Sequence, residues 1–248
     1  MVGMTGKEYE KEQVFTLFKQ LVSELEGLFV FRGEKYRCEC MKGYEEGLVV
    51  DRLAYYDLRL KEIFVCEKNL LQALTTYKVG ESCERMFILY VLLHEFVHYV
   101  LDFLGFGPVL IRLPNSVRFD EPFSEYIALR SCIEGRLRIF GYVKEIHVKE
   151  DEKRCVSLFS TMYRPAPYRY FKPLYASQEN LLNISAEVIF LKLVRMFSRI
   201  PAVNPDPIAP SRLFLVGPPK ELDLKEEKRY KKLIHKIPAV RILWCNYY

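Results

Sequence analysis

The chain has 248 residues, 50% of them hydrophobic and 28% charged, with a formal net charge of +5. That balance suits a folded protein with a sizeable core and excludes a disordered or fibrous chain. The positive excess is mild and interleaved with acids, so no specific nucleic-acid partner is expected.

The opening stretch, MVGMTGKEYEKEQ, is polar and has no apolar h-region, so no secretory signal is expected. The seven cysteines, Cys38, Cys40, Cys66, Cys83, Cys132, Cys155 and Cys245, are dispersed and odd in number. Several lie in apolar or strand-like contexts, where a thiol behaves as a small hydrophobe. Reduced thiols in a cytoplasmic protein are therefore the expectation. Cys38-Glu39-Cys40 is too tightly spaced for a zinc knuckle and has no partner pair elsewhere. Glutamine is scarce while Lys and Glu abound, a bias that fits a thermophile.

In chain order, residues 8–26 place Val14, Leu17, Phe18, Leu21, Val22 and Leu25 at helical spacing, with Gly27 suited to the end. Residues 28–66 are short runs rich in aromatic and β-branched residues, punctuated by Gly33, Gly43 and Gly47, and predict a small antiparallel or mixed sheet. NLLQALTTYK begins a short helix. An apolar helix follows, with Ser82 as its N-cap, ending near Gly105.

Further on, a helix starts around Asp120, with Pro122 tolerated in its first turn. A third apolar-periodic helix covers Ser185 to Ile200. The proline-rich PAVNPDPIAP is a loop. KELDLKEEKRYKKLIHK reads as a solvated helix face, because its acids interleave with its bases. AVRILWCNYY ends the chain as a buried strand or an apolar plug, with the ordinary strand favoured by its β-branched and aromatic residues. These elements predict an α+β fold, with a core over residues 1–145 and a mainly helical C-terminal extension over 146–248 packed on that core and able to cover a cleft.

The central helix, LYVLLHEFVHYVLDFLG, is apolar enough to suggest a membrane span. Its ionisable groups and the lack of a second span favour a protein core, so no membrane partner is expected. Those groups are His94, Glu95 and His98. Residues four apart share a helix face, so the imidazoles of His94 and His98 can converge on one ion. Glu95, about 100° round the helix, can address a water there without ligating the ion. This H-E-x-x-H pattern points to two zinc ligands and a general base. A catalytic zinc needs a third protein ligand and a position left for water. Neither His147 nor His235 has supportive spacing, whereas Glu121 and Glu125 lie four apart at the start of the next helix. An acidic first turn also has a simpler explanation in the helix dipole.

H-E-x-x-H followed by Glu121-Pro122-Phe123-Ser124-Glu125-Tyr126-Ile127-Ala128 resembles the gluzincin clan of zinc metallopeptidases, to which thermolysin belongs. The resemblance covers about residues 48–130, with specific motifs only at 94–98 and 121–128. It implies a zincin-like core, Zn2+ as cofactor, Glu121 as third ligand and Glu125 as a carboxylate orienting a ligand histidine. Glu at this last position departs from the commoner Asp or Asn, which leaves Glu125 structural or a competing ligand. YYDLRLKEIFVCEKNLL is similar to the strand at the sheet edge that binds an extended peptide, with Glu62, Ile63, Phe64 and Val65 as the edge residues.

The function implied is hydrolysis of peptide bonds in a peptide or protein substrate by zinc-activated water, with Glu95 as general base. The rival reading is a latent or non-catalytic zincin-like regulatory or binding module, its cleft blocked by a segment such as VRILWCNYY. A nucleic-acid binder is the third.

Overall fold

In a computed structural model the described residues are 11–38, 42–45, 48–76, 79, 81–106, 120–155 and 224–246; for 42–45, 48–51, 81–82, 121–122 and 224–227 the description is of backbone alone. The helix expected over Ser185 to Ile200 and the proline-rich loop lie outside the described residues.

Helix α1 (Lys11–Glu24) buries Val14, Phe15, Phe18, Leu21 and Val22, a stripe at helical spacing. Gly27, at φ +85°, turns the chain after it, a conformation that suits glycine. Helices α2 (Glu67–Thr76), α3 (Glu81–Phe103) and α4 (Asp120–Glu134) follow. Beyond them come a short α5 at residues 150–155 and α6 (Leu224–Ile234). Ser82 lies inside the first turn of α3 rather than capping it, a shift of two residues at the least regular part of any helix.

Strands β1 (Phe29–Val30), β2 (Lys35–Arg37), β5 (Ala54–Asp57), β6 (Glu62–Cys66) and β9 (Val240–Asn246) form one mixed sheet. β9 is its middle strand, parallel to β1 and β2 on one side and to β6 on the other. β5 closes the sheet, antiparallel to β6. Two separate hairpins, β3 (Lys42–Glu45) with β4 (Leu48–Asp51) and β7 (Arg136–Ile139) with β8 (Tyr142–Glu145), complete the strands among the described residues. The molecule is thus α+β with a small mixed sheet. The second hairpin turns at Phe140 (φ 47°) and Gly141 (φ 86°), the pair of positive angles that a tight two-residue turn demands.

The position of β9 bears on three expectations. First, the segment expected to pack on the core as a mainly helical extension also contributes a strand to it. Its last strand joins the central sheet, and Trp244 shares one hydrophobic cluster with α1 and α3. The Trp244 ring lies 4.6 Å from Phe18 and 5.3 Å from Phe15, and its indole N–H donates to Glu67 Oε1 at 3.2 Å. Second, VRILWCN is a core strand, the reading its β-branched and aromatic residues favour, and not a plug over a cleft. Third, Glu62, Ile63, Phe64 and Val65 do not form an edge. β6 is flanked by β5 and β9, so its backbone groups are engaged on both sides. Among the described residues β5 is the edge strand.

The cysteines also differ from expectation. Cys38 is joined to Cys245 and Cys83 to Cys155, with Cα separations of 5.3 and 5.4 Å. Partners 207 and 72 residues apart leave no local trace in the sequence. The pairing removes the reduced-thiol argument for a cytoplasmic protein, since disulfides are rare in the cytosol outside hyperthermophiles.

Helix α3 is the spine of the core. Met86, Phe87, Leu89, Leu92, Leu93, Val97 and Val100 are fully buried. α4, α1 and β5 pack against it. By length and composition its stretch Cys83–Phe103 could cross a membrane, but 83% of its most apolar window is buried inside the protein. Burial in a protein core accounts for that composition.

Candidate metal centre

Packing of α1, α4 and β5 against α3 positions the face that carries the candidate ligands. His94 and His98 stand one turn apart there, ring centroids 4.8 Å apart. Their Nε2 atoms approach to 3.0 Å. That separation is that of an N–H···N hydrogen bond between two neutral imidazoles. It also matches what one ion requires, since two nitrogens each about 2.0–2.1 Å from a tetrahedral zinc lie about 3.3 Å apart.

The orientation of His98 has a visible cause. Its Nδ1 lies 3.2 Å from Oδ2 of Asp120, the first residue of α4, and the two side chains are only 9% and 3% exposed. A carboxylate that accepts from Nδ1–H fixes the tautomer and leaves the Nε2 lone pair directed outward. The donor chemistry therefore fits a zinc-type ion: two converging imidazole nitrogens, one backed by a buried carboxylate.

Glu95, buried between them in sequence, is held from the sheet. Its Oε2 accepts the backbone N–H of Tyr56 at 2.8 Å. Tyr56 belongs to β5, so the candidate base sits against the sheet edge. The Tyr56 hydroxyl in turn donates to Asp102 Oδ2 at 2.7 Å, and Lys61 Nζ reaches the same oxygen at 2.6 Å. Asp102 lies one helical turn beyond His98, so Tyr56 is attached to α3 at both Glu95 and Asp102. Burial pushes the Tyr56 phenol up, with the Asp102 carboxylate adding to it. Tyr99, whose ring meets Tyr56 edge-on at 5.6 Å, is pushed up to about 12 by burial and then by Asp102.

The remaining expected residues are placed less fully. Glu121 lies in the first turn of α4, but its side chain is outside the described ones. Glu125, one turn later, is 4% exposed and interior. Among the described residues no group of three or more His, Cys, Asp or Glu is arranged to hold a metal ion. Asp120 and Tyr56 were not singled out from the sequence. Asp120 directly precedes Glu121, and an acid at a helix start is explained by the dipole alone, which hides its second role. Tyr56 acts through its backbone, on which side-chain identity carries no signal.

No family model, no curated protein and no solved structure matches the chain.

Proposed function

We propose that the protein is a zinc-dependent metallopeptidase of the gluzincin kind, with a zincin-like arrangement of α3, α4 and the β5 edge. The observation that carries this reading is the approach of His94 and His98 Nε2 to 3.0 Å beside Glu95 on a rigid buried helix. His94 and His98 would hold the ion. The family pattern makes Glu121 the third ligand and Glu125 a supporting carboxylate. The chemistry an ion supplies there is Lewis acidity, which polarises a scissile carbonyl and acidifies a water.

The chain's own groups do the rest. Glu95 takes a proton from the attacking water and returns it to the leaving amine nitrogen, so the carboxylate is regenerated in each turnover. Asp120 holds the His98 ring in its orientation. The β5 edge, in place of β6, receives an extended substrate through backbone hydrogen bonds. Cleavage of casein by the zinc-loaded chain tests the reading. Wild type is expected to cleave, and Glu95→Gln to keep zinc but lose turnover. Zinc binding without cleavage by wild type would instead favour the non-catalytic module, and unchanged turnover in Glu95→Gln would remove the base assignment.

A further inference from the structure

Among the described residues β5 ends the sheet, and Tyr56 stands opposite Ile63 of β6. Because Tyr56 gives its amide to Glu95, the Tyr56–Ile63 pair is of the kind that exchanges no ladder hydrogen bonds, and the amide faces away from β6. A peptide that adds to β5 must place a backbone carbonyl on that same amide. The amide has one hydrogen. The incoming carbonyl and the Glu95 carboxylate therefore compete for it.

We propose that the Tyr56 amide is a shared donor that couples the seating of an extended peptide to the release of Glu95, a step that rests on the peptidase reading of the site. With the edge empty, the amide donates to Oε2 and engages a lone pair needed for proton abstraction. When a backbone carbonyl takes the amide, the carboxylate is freed for the His94/His98 face beside it. The base is thus fully available only when substrate lies along β5. Such an arrangement favours an extended backbone over a small amide, because a ligand without a strand to add leaves Glu95 tied down.

The rest of Tyr56 makes the exchange feasible. Its hydroxyl is fastened to Asp102, its ring packs on Tyr99, and Asp102 is further held by Lys61. These side-chain anchors keep β5 on α3 while the backbone amide changes partner. Tyr56 is in this sense a positioning residue with two separate attachments to one helix.

The test uses the metal-free full-length chain, so that no cleavage intervenes, and the blocked peptide acetyl-Lys-Val-Val-Val-Val-Lys-amide as probe. Binding is followed through the Tyr56 amide by NMR in wild type, Glu95→Gln and Glu95→Ala. Removing the competing carboxylate is expected to tighten binding by about tenfold in Glu95→Ala, with Glu95→Gln between the two, as follows from losing a hydrogen bond to a charged group. In the free proteins, Tyr56 amide exchange should accelerate in Glu95→Ala while the Ile63 and Val65 amides keep their protection, which also verifies folding. A merely structural role for Glu95 would weaken binding instead. Equal or weaker affinity in Glu95→Ala, or no movement of the Tyr56 amide on titration, overturns the coupling. Zinc and turnover play no part in this readout, so a chain that couples yet neither holds zinc nor cleaves casein would retire the peptidase reading alone.

Discussion

His98 offers Nδ1 to Oδ2 of Asp120 at 3.2 Å, across the junction of α3 and α4. The contact ties the orientation of one candidate ligand to the start of the next helix, the turn that also carries Glu121. Removal of Asp120 should therefore act on the ion without touching it. Asp120→Ala is expected to weaken zinc affinity by roughly 10- to 100-fold. Asp120→Asn should lose less, because its side-chain oxygen still accepts from Nδ1–H. Competition against a chromophoric chelator measures both, and wild-type affinity in the alanine variant would show that Asp120 does not orient the ligand.

The Cys38–Cys245 link fastens the end of β9 to the chain just after β2, and Cys83–Cys155 ties α3 to α5. Both close long loops, which narrows the unfolded ensemble. Reduction should lower unfolding stability by about 2–5 kcal/mol. Urea unfolding with and without a phosphine reductant measures the difference. Alkylation of Cys38 and Cys245 in unreduced, denatured protein would contradict the pairing.

Alkaline stability carries a signature of Tyr99. Its phenol is pushed up to about 12 in the folded chain, from an ordinary value of 10.0. Between those values the folded chain keeps a proton that the unfolded chain has released. Stability from this group is therefore full below pH 10 and declines as pH rises towards about 12. Tyr99→Phe removes the titrating group, along with the hydroxyl's hydrogen bond to the Pro238 carbonyl at 2.9 Å. Its urea midpoint should start lower at pH 9 and fall less steeply to pH 11.5 than that of wild type. Parallel slopes would contradict the assignment.

Much of the site was legible because its signal is local. His94, Glu95 and His98 sit within five residues on a helix whose apolar periodicity is plain, and spacing alone predicts the convergence of the two rings. The helical stripe of α1 and the strand character of VRILWCN were readable for the same reason. What escaped reading depends on partners far away in sequence. AYYD and EIFVC have similar composition, and only the insertion of β9, from residues 240–246, makes β6 interior and leaves β5 at the edge. The disulfides are long-range in the same way. The β7–β8 hairpin was within reach, since Phe140-Gly141 follows RLRI, a run of alternating polarity, but YVKE does not alternate and a two-residue turn without Asn or Asp gives a weak mark.

The measurement closest to the central claim is the metal content of the purified full-length chain. Wild type is compared with the His94→Ala/His98→Ala double variant and with Glu121→Ala. One zinc per wild-type chain is expected, none in the double variant, and sharply reduced occupancy in Glu121→Ala. Full occupancy in Glu121→Ala alone would move the third ligand to Glu125 or another group. No zinc in wild type, or equal zinc in wild type and the double variant, would contradict the metal centre itself.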